Sequence, residues 1–175
     1  MDALYFLLDS ILSFAVFAFL LRVLLQLVRA DFRNPLAQAV VALTNWLVLP
    51  LRRVLPPVGR FDTASLVALL IVQLVATLVL FRVRTGVIYP FVSLVLTSAR
   101  ALALAALLLY TILIFVYAAL SFIAPGVRSP ATGLLAALCE PVLRPLRRVL
   151  PVIGGIDFSP LIAILALTAL RILIR

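Results

Sequence analysis

Long apolar segments are the feature that most constrains how this chain can fold. Four of them, at about residues 3–28, 63–81, 100–124 and 158–174, approach or exceed the roughly 20 residues with which a helix crosses a bilayer. The chain is 66% hydrophobic and 12% charged, whereas soluble domains are roughly 45–50% apolar and 25% charged. A chain this apolar cannot cover a soluble core with polar residues. The sequence therefore predicts an all-α membrane protein with four transmembrane helices.

A duplicated motif divides the chain into two related halves. The seven residues Pro-Leu-Arg-Arg-Val-Leu-Pro begin segment 50–62 and also segment 145–157, and in both a glycine and an aspartate follow at the same spacing. We call these segments the first box and the second box. Their constant offset of 95 residues, from 50 to 145, indicates an internal duplication. The predicted organisation is a first repeat at 1–81, a linker at 82–97 and a second repeat at 98–175.

A shorter apolar segment precedes each box. These segments, at about 35–49 and 130–144, are short for a span, and the first carries Trp46, a residue type that favours the headgroup level. We predict two interfacial helices, with a re-entrant segment as the alternative. The prolines of the boxes predict that no regular helix runs through them, so the boxes should lie at the membrane surface or under protein. The motif residues expected to shape these segments are Asn34, Pro35, Pro50, Pro56, Gly59, Asp62, Glu140, Pro141, Pro145, Pro151, Gly154, Gly155 and Asp157.

The number of spans sets the relative orientation of the two repeats. Each repeat contains two spans, so both boxes should lie on one side of the membrane and the repeats should be parallel. Ten of the fifteen arginines fall on the side of the boxes. By the positive-inside rule, the boxes are predicted to face the cytoplasm and both termini to face outward.

The net charge of +9 indicates a lipid rather than a nucleic-acid partner. Nucleic-acid binding would require a basic surface backed by a soluble core, which this composition excludes. All the positive charges are arginines, whose guanidinium groups bind phosphate bidentately. We therefore expect anionic headgroups of the bilayer as partners, with topology and anchoring as the simpler alternative. The candidate lipid- or partner-binding residues are Arg52, Arg53, Arg144, Arg147 and Arg148.

Polar residues near the span ends have two interpretations each. Asp62 and Asp157 can cap the helices that follow them or fold back onto the arginine pairs, and capping is the simpler function. Arg22, Gln26 and Arg29 fall on one helical stripe. Snorkelling to the headgroups is favoured for this stripe over a dedicated ligand site.

The sequence offers no catalytic constellation. It has no histidine, a single cysteine (Cys139) without an adjacent base, no clustered acids and no glycine-rich phosphate loop, so we predict no enzyme, no cofactor and no metal site. An ion channel or transporter, as a homo-oligomer, is the alternative function. Ion pathways need ionisable or strongly polar residues inside the spans, and Asp9 is the acidic candidate. Gln73 and Thr77 share one helix face, for which a hydrogen bond to a neighbouring helix is favoured.

The second box and its flanks resemble the YggT family, also known as YlmG. Segment 138–160 follows the family pattern nearly throughout. The first copy departs from it, with Asn45-Trp46 in place of Glu-Pro, Leu49 in place of Arg, Arg60 in place of the second glycine and Ala64-Ser65 in place of Ser-Pro. Both copies keep the arginine pair, the first glycine and the aspartate. The resemblance covers almost the entire chain.

This resemblance implies a small multi-pass protein of the bacterial inner membrane without enzymatic activity. Proteins similar to it are associated with tolerance of osmotic or other envelope stress and with potassium uptake. Some relatives are linked to cell division and nucleoid distribution, and plastid relatives to cytochrome b6f haem assembly. The resemblance therefore implies stress protection or organisation of the membrane and division site, with membrane or cell-division proteins as possible partners.

Overall fold

The computed structural model describes residues 2–57, 62–87, 90–123, 129–149 and 157–175. This part of the chain is all-helical and contains no β-strand. Its six helices are α1 (Asp2–Leu27), α2 (Pro35–Val54), α3 (Thr63–Thr85), α4 (Phe91–Ile123), α5 (Pro130–Val149) and α6 (Ser159–Ile174).

Three of these helices are long and apolar enough to cross a membrane. They are α1 from Ala3 onward, α3 and α4. The fourth apolar helix, α6, has 16 residues and is about 24 Å long by the helical rise. Large apolar side chains, including Phe14, Phe115 and Phe122, are more than half exposed on the outer surface. Such a surface suits lipid rather than water, so the fold indicates an integral membrane protein.

The helices pack in two groups with the same pattern of neighbours. Helix α1 packs on α2 and α3, and α2 packs on α3; in the same way α4 packs on α5 and α6, and α5 packs on α6. The groups meet where α4 contacts α3 and α1 and where α2 contacts α5. At this second contact, Asn34 donates its side-chain Nδ2 to the carbonyl of Pro130 over 2.6 Å. The starts of α2 and α5 are therefore tied together.

The main buried core lies between α1 and α3. On α3, Ala64, Ala68 and Ala76 share one face at helical spacing and are buried. They pack in one cluster with Phe19 and Leu25 of α1. Small side chains let two helices approach closely, which strengthens packing where lipid supplies no hydrophobic driving force. A smaller buried cluster in the second group contains Ile114, Cys139, Leu143 and Ala163.

Both boxes are helical at their start, which corrects the expectation of no regular helix for Pro50 and Pro145, whereas in the first box the helix ends before Pro56, as expected. Helix α2 continues through Pro50 to Val54, and α5 continues through Pro141 and Pro145 to Val149. The two helices that we predicted to be interfacial thus extend beyond their predicted ends at 49 and 144. A proline inside a helix removes one hydrogen bond and bends the helix, and packing of the amphipathic face offsets this cost. Gly59, Pro151, Gly154 and Gly155 lie outside the described residues.

The predicted linker is also mostly helical. Helix α3 continues to Thr85, where Gly86 ends it in the left-handed conformation at φ 71°. Helix α4 begins at Phe91, directly after Pro90, and so starts before the predicted span at 100. With 33 residues, α4 is about 50 Å long, which exceeds the roughly 30 Å of bilayer hydrocarbon. It must therefore tilt or extend into the headgroup region.

Candidate functional site

A buried arginine lies where α1, α2 and α3 meet. Arg22 is only 2% exposed. Its Nε donates to Ser65 Oγ at 3.0 Å. Its Nη1 donates to Thr44 Oγ1 at 2.7 Å, to Asn45 Oδ1 at 2.9 Å and to the carbonyl of Val41 at 3.3 Å. All four acceptors are uncharged, and no carboxylate of the described chain lies within ion-pair distance of Arg22.

This burial corrects the snorkelling interpretation of the polar stripe on α1. Arg22 points inward because α2 and α3 surround it with hydrogen-bond acceptors. The spacing of polar residues along α1 could not predict these acceptors, because they belong to other helices. Gln26 joins the same cluster, since its Nε2 donates to Ser65 Oγ at 3.0 Å. Arg29 does not join it: α1 ends at Leu27, and Arg29 is exposed in a left-handed conformation at φ 54°.

Asp62 connects this cluster to the first box. Its Oδ2 accepts hydrogen bonds from both Nε and Nη2 of Arg52, with the Nε contact at 3.2 Å. The same oxygen accepts from Gln26 Nε2 at 3.1 Å and from Ser65 Oγ at 2.7 Å. Although Asp62 occupies the N-cap position of α3, its side chain makes no capping hydrogen bond. Of the two interpretations, folding back onto the arginine pair is correct here and capping is wrong.

The ionisation of Asp62 follows from these contacts. Burial by itself raises the pKa of the carboxyl group, because it penalises the charged form. The hydrogen bonds from Arg52 and Ser65, and the charge of Arg52, outweigh burial and hold the pKa below its ordinary value. Asp62 is therefore a carboxylate at neutral pH.

A cavity of about 490 Å³ adjoins Arg22. This volume lies within the range of roughly 300–1,000 Å³ that is typical of small-ligand sites. The residues that line it are Arg22, Gln26, Phe32, Gln38, Val41, Ala42, Asn45, Arg52 and Asp62. The cavity thus combines two arginines, one carboxylate and three amides.

The second box makes the same arginine–aspartate contact. Arg147 Nε donates to Asp157 Oδ2 at 2.8 Å, over the ten-residue spacing that also separates Arg52 from Asp62. Asp157 also accepts at Oδ1 from the backbone N–H of Ser159 at 2.9 Å. Both interpretations of Asp157 are therefore correct, because it pairs with the arginine and caps the start of α6.

Two further groups contact Arg147. Its Nη1 lies 3.3 Å from Glu140 Oε2, and its Nη2 donates to the Tyr117 hydroxyl at 3.4 Å. Burial opposes the charge of Arg147, but the hydrogen bonds to Tyr117 and Asp157 outweigh it and raise the arginine pKa. Burial likewise raises the pKa of Asp157, and the bonds from Ser159 and Arg147 reverse that effect, leaving it below the ordinary value. Arg147 and Asp157 are therefore both charged at neutral pH.

The two clusters carry opposite net charges. At the 95-residue offset, Tyr117 stands in the place of Arg22, and Glu140 in the place of Asn45. The first cluster contains two arginines and one aspartate, and the second contains one arginine and two carboxylates. The second cluster adjoins a smaller cavity of about 180 Å³. The charge difference follows from these two positions, whereas Arg52 and Asp62 are repeated as Arg147 and Asp157.

Three of the five candidate lipid-binding arginines point outward. Arg53, Arg144 and Arg148 are exposed and make no hydrogen bond or ion pair to the described part of the chain. Successive residues of a helix point in different directions, so each arginine pair divides into one member bound to an aspartate and one facing outward. The sequence alone does not distinguish the two members of a pair, because their different directions follow from the helical continuation of α2 and α5.

The polar residues of the possible ion pathway share a separate cavity. Asp9, Gln73 and Thr77 line a space of about 320 Å³ between α1, α3 and α4, together with Tyr5 and Arg84. Gln73 Nε2 donates to Thr77 Oγ1 at 3.1 Å, so these two residues bond to each other within α3 instead of joining neighbouring helices.

The one cysteine has no reactive environment. Cys139 is fully buried in α5, and burial raises the pKa of its thiol to about 11. The thiol is protonated at neutral pH and is a poor nucleophile. In the part of the chain that the structure describes, no group of three or more histidine, cysteine or acidic residues could hold a metal ion.

The chain is similar over most of its length to one protein family. The family model described as CCB3/YggT matches residues 1–83 and 96–175. The protein printed as "Uncharacterized protein YggT" of Escherichia coli strain K12 is 39% identical over 167 residues, which cover 95% of this chain and 86% of the relative. A Pseudomonas aeruginosa protein is 39% identical over 173 residues, covering 98% and 88%. A Vibrio alginolyticus protein is 32% identical over 169 residues, covering 95% and 90%. No solved structure matches the chain.

Proposed function

The chain belongs to the CCB3/YggT family, and we propose a function for it. We propose that it is a non-enzymatic membrane protein whose two boxes bind anionic lipid headgroups. In this way it serves protection against osmotic or other envelope stress, or organises the membrane at division sites. Membrane or cell-division proteins and further copies of the same chain are the proposed protein partners.

The proposed architecture has four spans in two parallel repeats, in the bacterial inner membrane with the boxes in the cytoplasm. Helices α1, α3 and α4 are long enough to span. The short helix α6 is the fourth span, and the exposed apolar side chains of Leu161, Leu165 and Leu173 support its contact with lipid. The start of α2 lies against the start of α5, where Asn34 donates to the carbonyl of Pro130, and this meeting of corresponding ends supports the parallel arrangement.

The outward position of Arg53, Arg144 and Arg148 is the observation that carries the docking proposal. All three are exposed on α2 and α5, and no carboxylate of the described residues neutralises them. Near an anionic leaflet, each such cation contributes about 1 kcal/mol of attraction. Arg52 and Arg147 are committed to Asp62 and Asp157, so their proposed role is to hold the boxes in shape.

The test is selective lipid retention. The purified protein is reconstituted in phosphatidylcholine bilayers containing a minor share of phosphatidylglycerol, and the lipid that remains with the protein is analysed. Changing Arg53, Arg144 and Arg148 together to Gln should abolish the enrichment of phosphatidylglycerol. The matched control changes three arginines at the C-terminal ends of α3 and α6, Arg82, Arg171 and Arg175, to Gln. This control should retain the enrichment of phosphatidylglycerol. Equal loss in both variants would mean that net charge alone recruits the lipid.

The same variants test the cellular function. In cells that lack the protein, the control variant should restore survival of osmotic challenge and the box variant should not, with both variants present at equal levels. Ion conduction is the rival function. Potassium flux through the purified protein in liposomes, abolished by Asp9→Ala, would favour the rival over docking.

A further inference from the structure

The buried charge of Arg22 makes no direct ion pair in the described part of the chain, and the charge of Asp62 acts on it only at longer range. A buried charge without a partner is costly, because the protein interior replaces water poorly. Arg22 is nevertheless 98% buried, and its four acceptors are neutral. Both Asp9 and Asp31 lie elsewhere along α1 and the following turn, and Asp62 is bound to Arg52.

The cavity beside Arg22 is the place where a counter-ion can bind. Nε and Nη1 of Arg22 make all of its hydrogen bonds, and Nη2 makes none to the described residues. Asn45 uses its oxygen to accept from Arg22, which leaves its Nδ2 without a partner there. Nη1 of Arg52 likewise makes no hydrogen bond to the described residues. All three residues line the 490 Å³ cavity.

The geometry points to an anion site, and we propose that this cavity binds one phosphate group. The lone carboxylate at the cavity, Asp62, already accepts from Arg52, Gln26 and Ser65. Its charge is thereby offset, and Arg22 supplies the excess positive charge. A guanidinium group next to amide donors suits the tetrahedral oxygens of phosphate, either in a lipid headgroup or as the free ion.

The corresponding positions of the second cluster lack the features of this phosphate site. There the tyrosine in the place of Arg22 adds no charge, and Arg147 is contacted by both Asp157 and Glu140. A negative cluster disfavours a phosphate. The proposal therefore predicts one phosphate per chain, at the first cluster only.

This site does not include the outward arginines, so it can be tested independently of the proposed lipid docking. The decisive variant is Gln38→Glu, which places a carboxylate on the cavity lining. Gln38 is exposed in the first turns of α2, where a negative charge is compatible with the helix. Gly133→Glu is the matched control, because residue 133 stands 95 positions after 38, on α5, and a Cβ atom added there meets nothing within 4 Å.

The experiment has two arms that separate the sources of phosphate. In the first, inorganic phosphate is titrated calorimetrically into protein in phosphatidylcholine nanodiscs. In the second, native mass spectrometry counts phosphatidylglycerol molecules retained from a mixed bilayer without free phosphate. Binding in the first arm identifies a soluble anion, and retention of one lipid in the second arm identifies a headgroup. In either case Gln38→Glu should weaken binding about fivefold, as expected for one added charge, and Gly133→Glu should not.

Two results would overturn the site. One is the absence of stoichiometric binding in both arms. The other is an equal response of the two carboxylate variants, which would place the ligand elsewhere. Arg22→Gln should abolish binding, and Gln38→Glu keeps the test decisive if that variant does not fold. The variant lacking Arg53, Arg144 and Arg148 should keep the site, so failure of lipid docking is distinguishable from failure of the phosphate site.

Discussion

At the scale of single residues, Arg22 organises the first helix group. It is the largest of the side chains that are almost completely buried, and its hydrogen bonds reach from α1 to both α2 and α3. Its Nε–H bonds to Ser65, and the two N–H groups of Nη1 share Thr44, Asn45 and the carbonyl of Val41, so each lost acceptor weakens the bonding of a buried charge, which costs more than an average hydrogen bond gains. The stability of this part of the molecule should therefore be unusually sensitive to the small polar residues around Arg22.

Replacement of Thr44 by valine tests this sensitivity. Thr44→Val keeps the shape of the side chain but removes the oxygen that accepts from Arg22 at 2.7 Å. We expect the free energy of unfolding in detergent to fall by about 1–3 kcal/mol. Thr85→Val is the control, since Thr85 is exposed and its hydroxyl bonds only locally, to Phe81 and Val87. The control should change stability by less than about 0.5 kcal/mol. Similar losses in the two variants would contradict a central role for Arg22.

The lowered pKa of Asp62 predicts a pH dependence of stability. Because the pKa is lower in the folded state than in the unfolded chain, the contribution is complete above the unfolded value, near 4, and is lost as the pH falls through the folded value. The wild type should therefore lose stability on acidification below about pH 5. In Asp62→Asn this part of the loss should be missing, as measured by unfolding temperature between neutral pH and pH 3. Parallel curves for the two proteins would be inconsistent with the ion pair.

At the scale of the helices, the apolar pattern predicted where helices lie, but not which polar groups they join. Helix α2 begins at Pro35, and Asn34 Oδ1 accepts from the backbone N–H of Leu36. The continuation through Pro50 could not be predicted, because it depends on packing against other helices. The choice of Asp62 between capping and pairing was also open, since Gln26 lies 36 residues away in sequence and contributes only after folding. The family resemblance was confirmed, whereas the internal site required the fold.

The start of α6 depends on Asp157 more than on Glu140. Asp157 contacts Arg147 at 2.8 Å and caps Ser159, whereas Glu140 is 3.3 Å from Arg147 with its side chain 52% exposed. Asp157→Asn should lower the unfolding free energy by about 1–2 kcal/mol. Glu140→Gln should lower it by less than about 0.5 kcal/mol, because exposed pairs contribute little. Chemical denaturation of the two variants in the same detergent provides the comparison. An equal effect of the two substitutions would contradict the greater importance of the Arg147–Asp157 pair.

At the scale of the whole molecule, the short helix α6 decides the topology. Its 16 residues reach about 24 Å, somewhat less than the roughly 30 Å of a typical hydrocarbon layer. A short span can be accommodated by local thinning of the bilayer and by terminal arginines that extend to the headgroups. Arg171 and Arg175 lie at the C-terminal end of α6 and suit this function. If α6 spans, Arg175 lies across the membrane from the boxes.

Cysteine labelling can test this arrangement directly, because the native Cys139 is buried with its thiol pKa raised to about 11 and should give little background. Arg148→Cys and Arg175→Cys each introduce one accessible thiol. In intact spheroplasts, a membrane-impermeant maleimide should label the Arg175→Cys protein and label the Arg148→Cys protein only after the membrane is opened. Labelling of both proteins in intact spheroplasts would place α6 along the surface, leaving three spans. Labelling of neither before opening would put both positions in the cytoplasm and would likewise exclude α6 as a span.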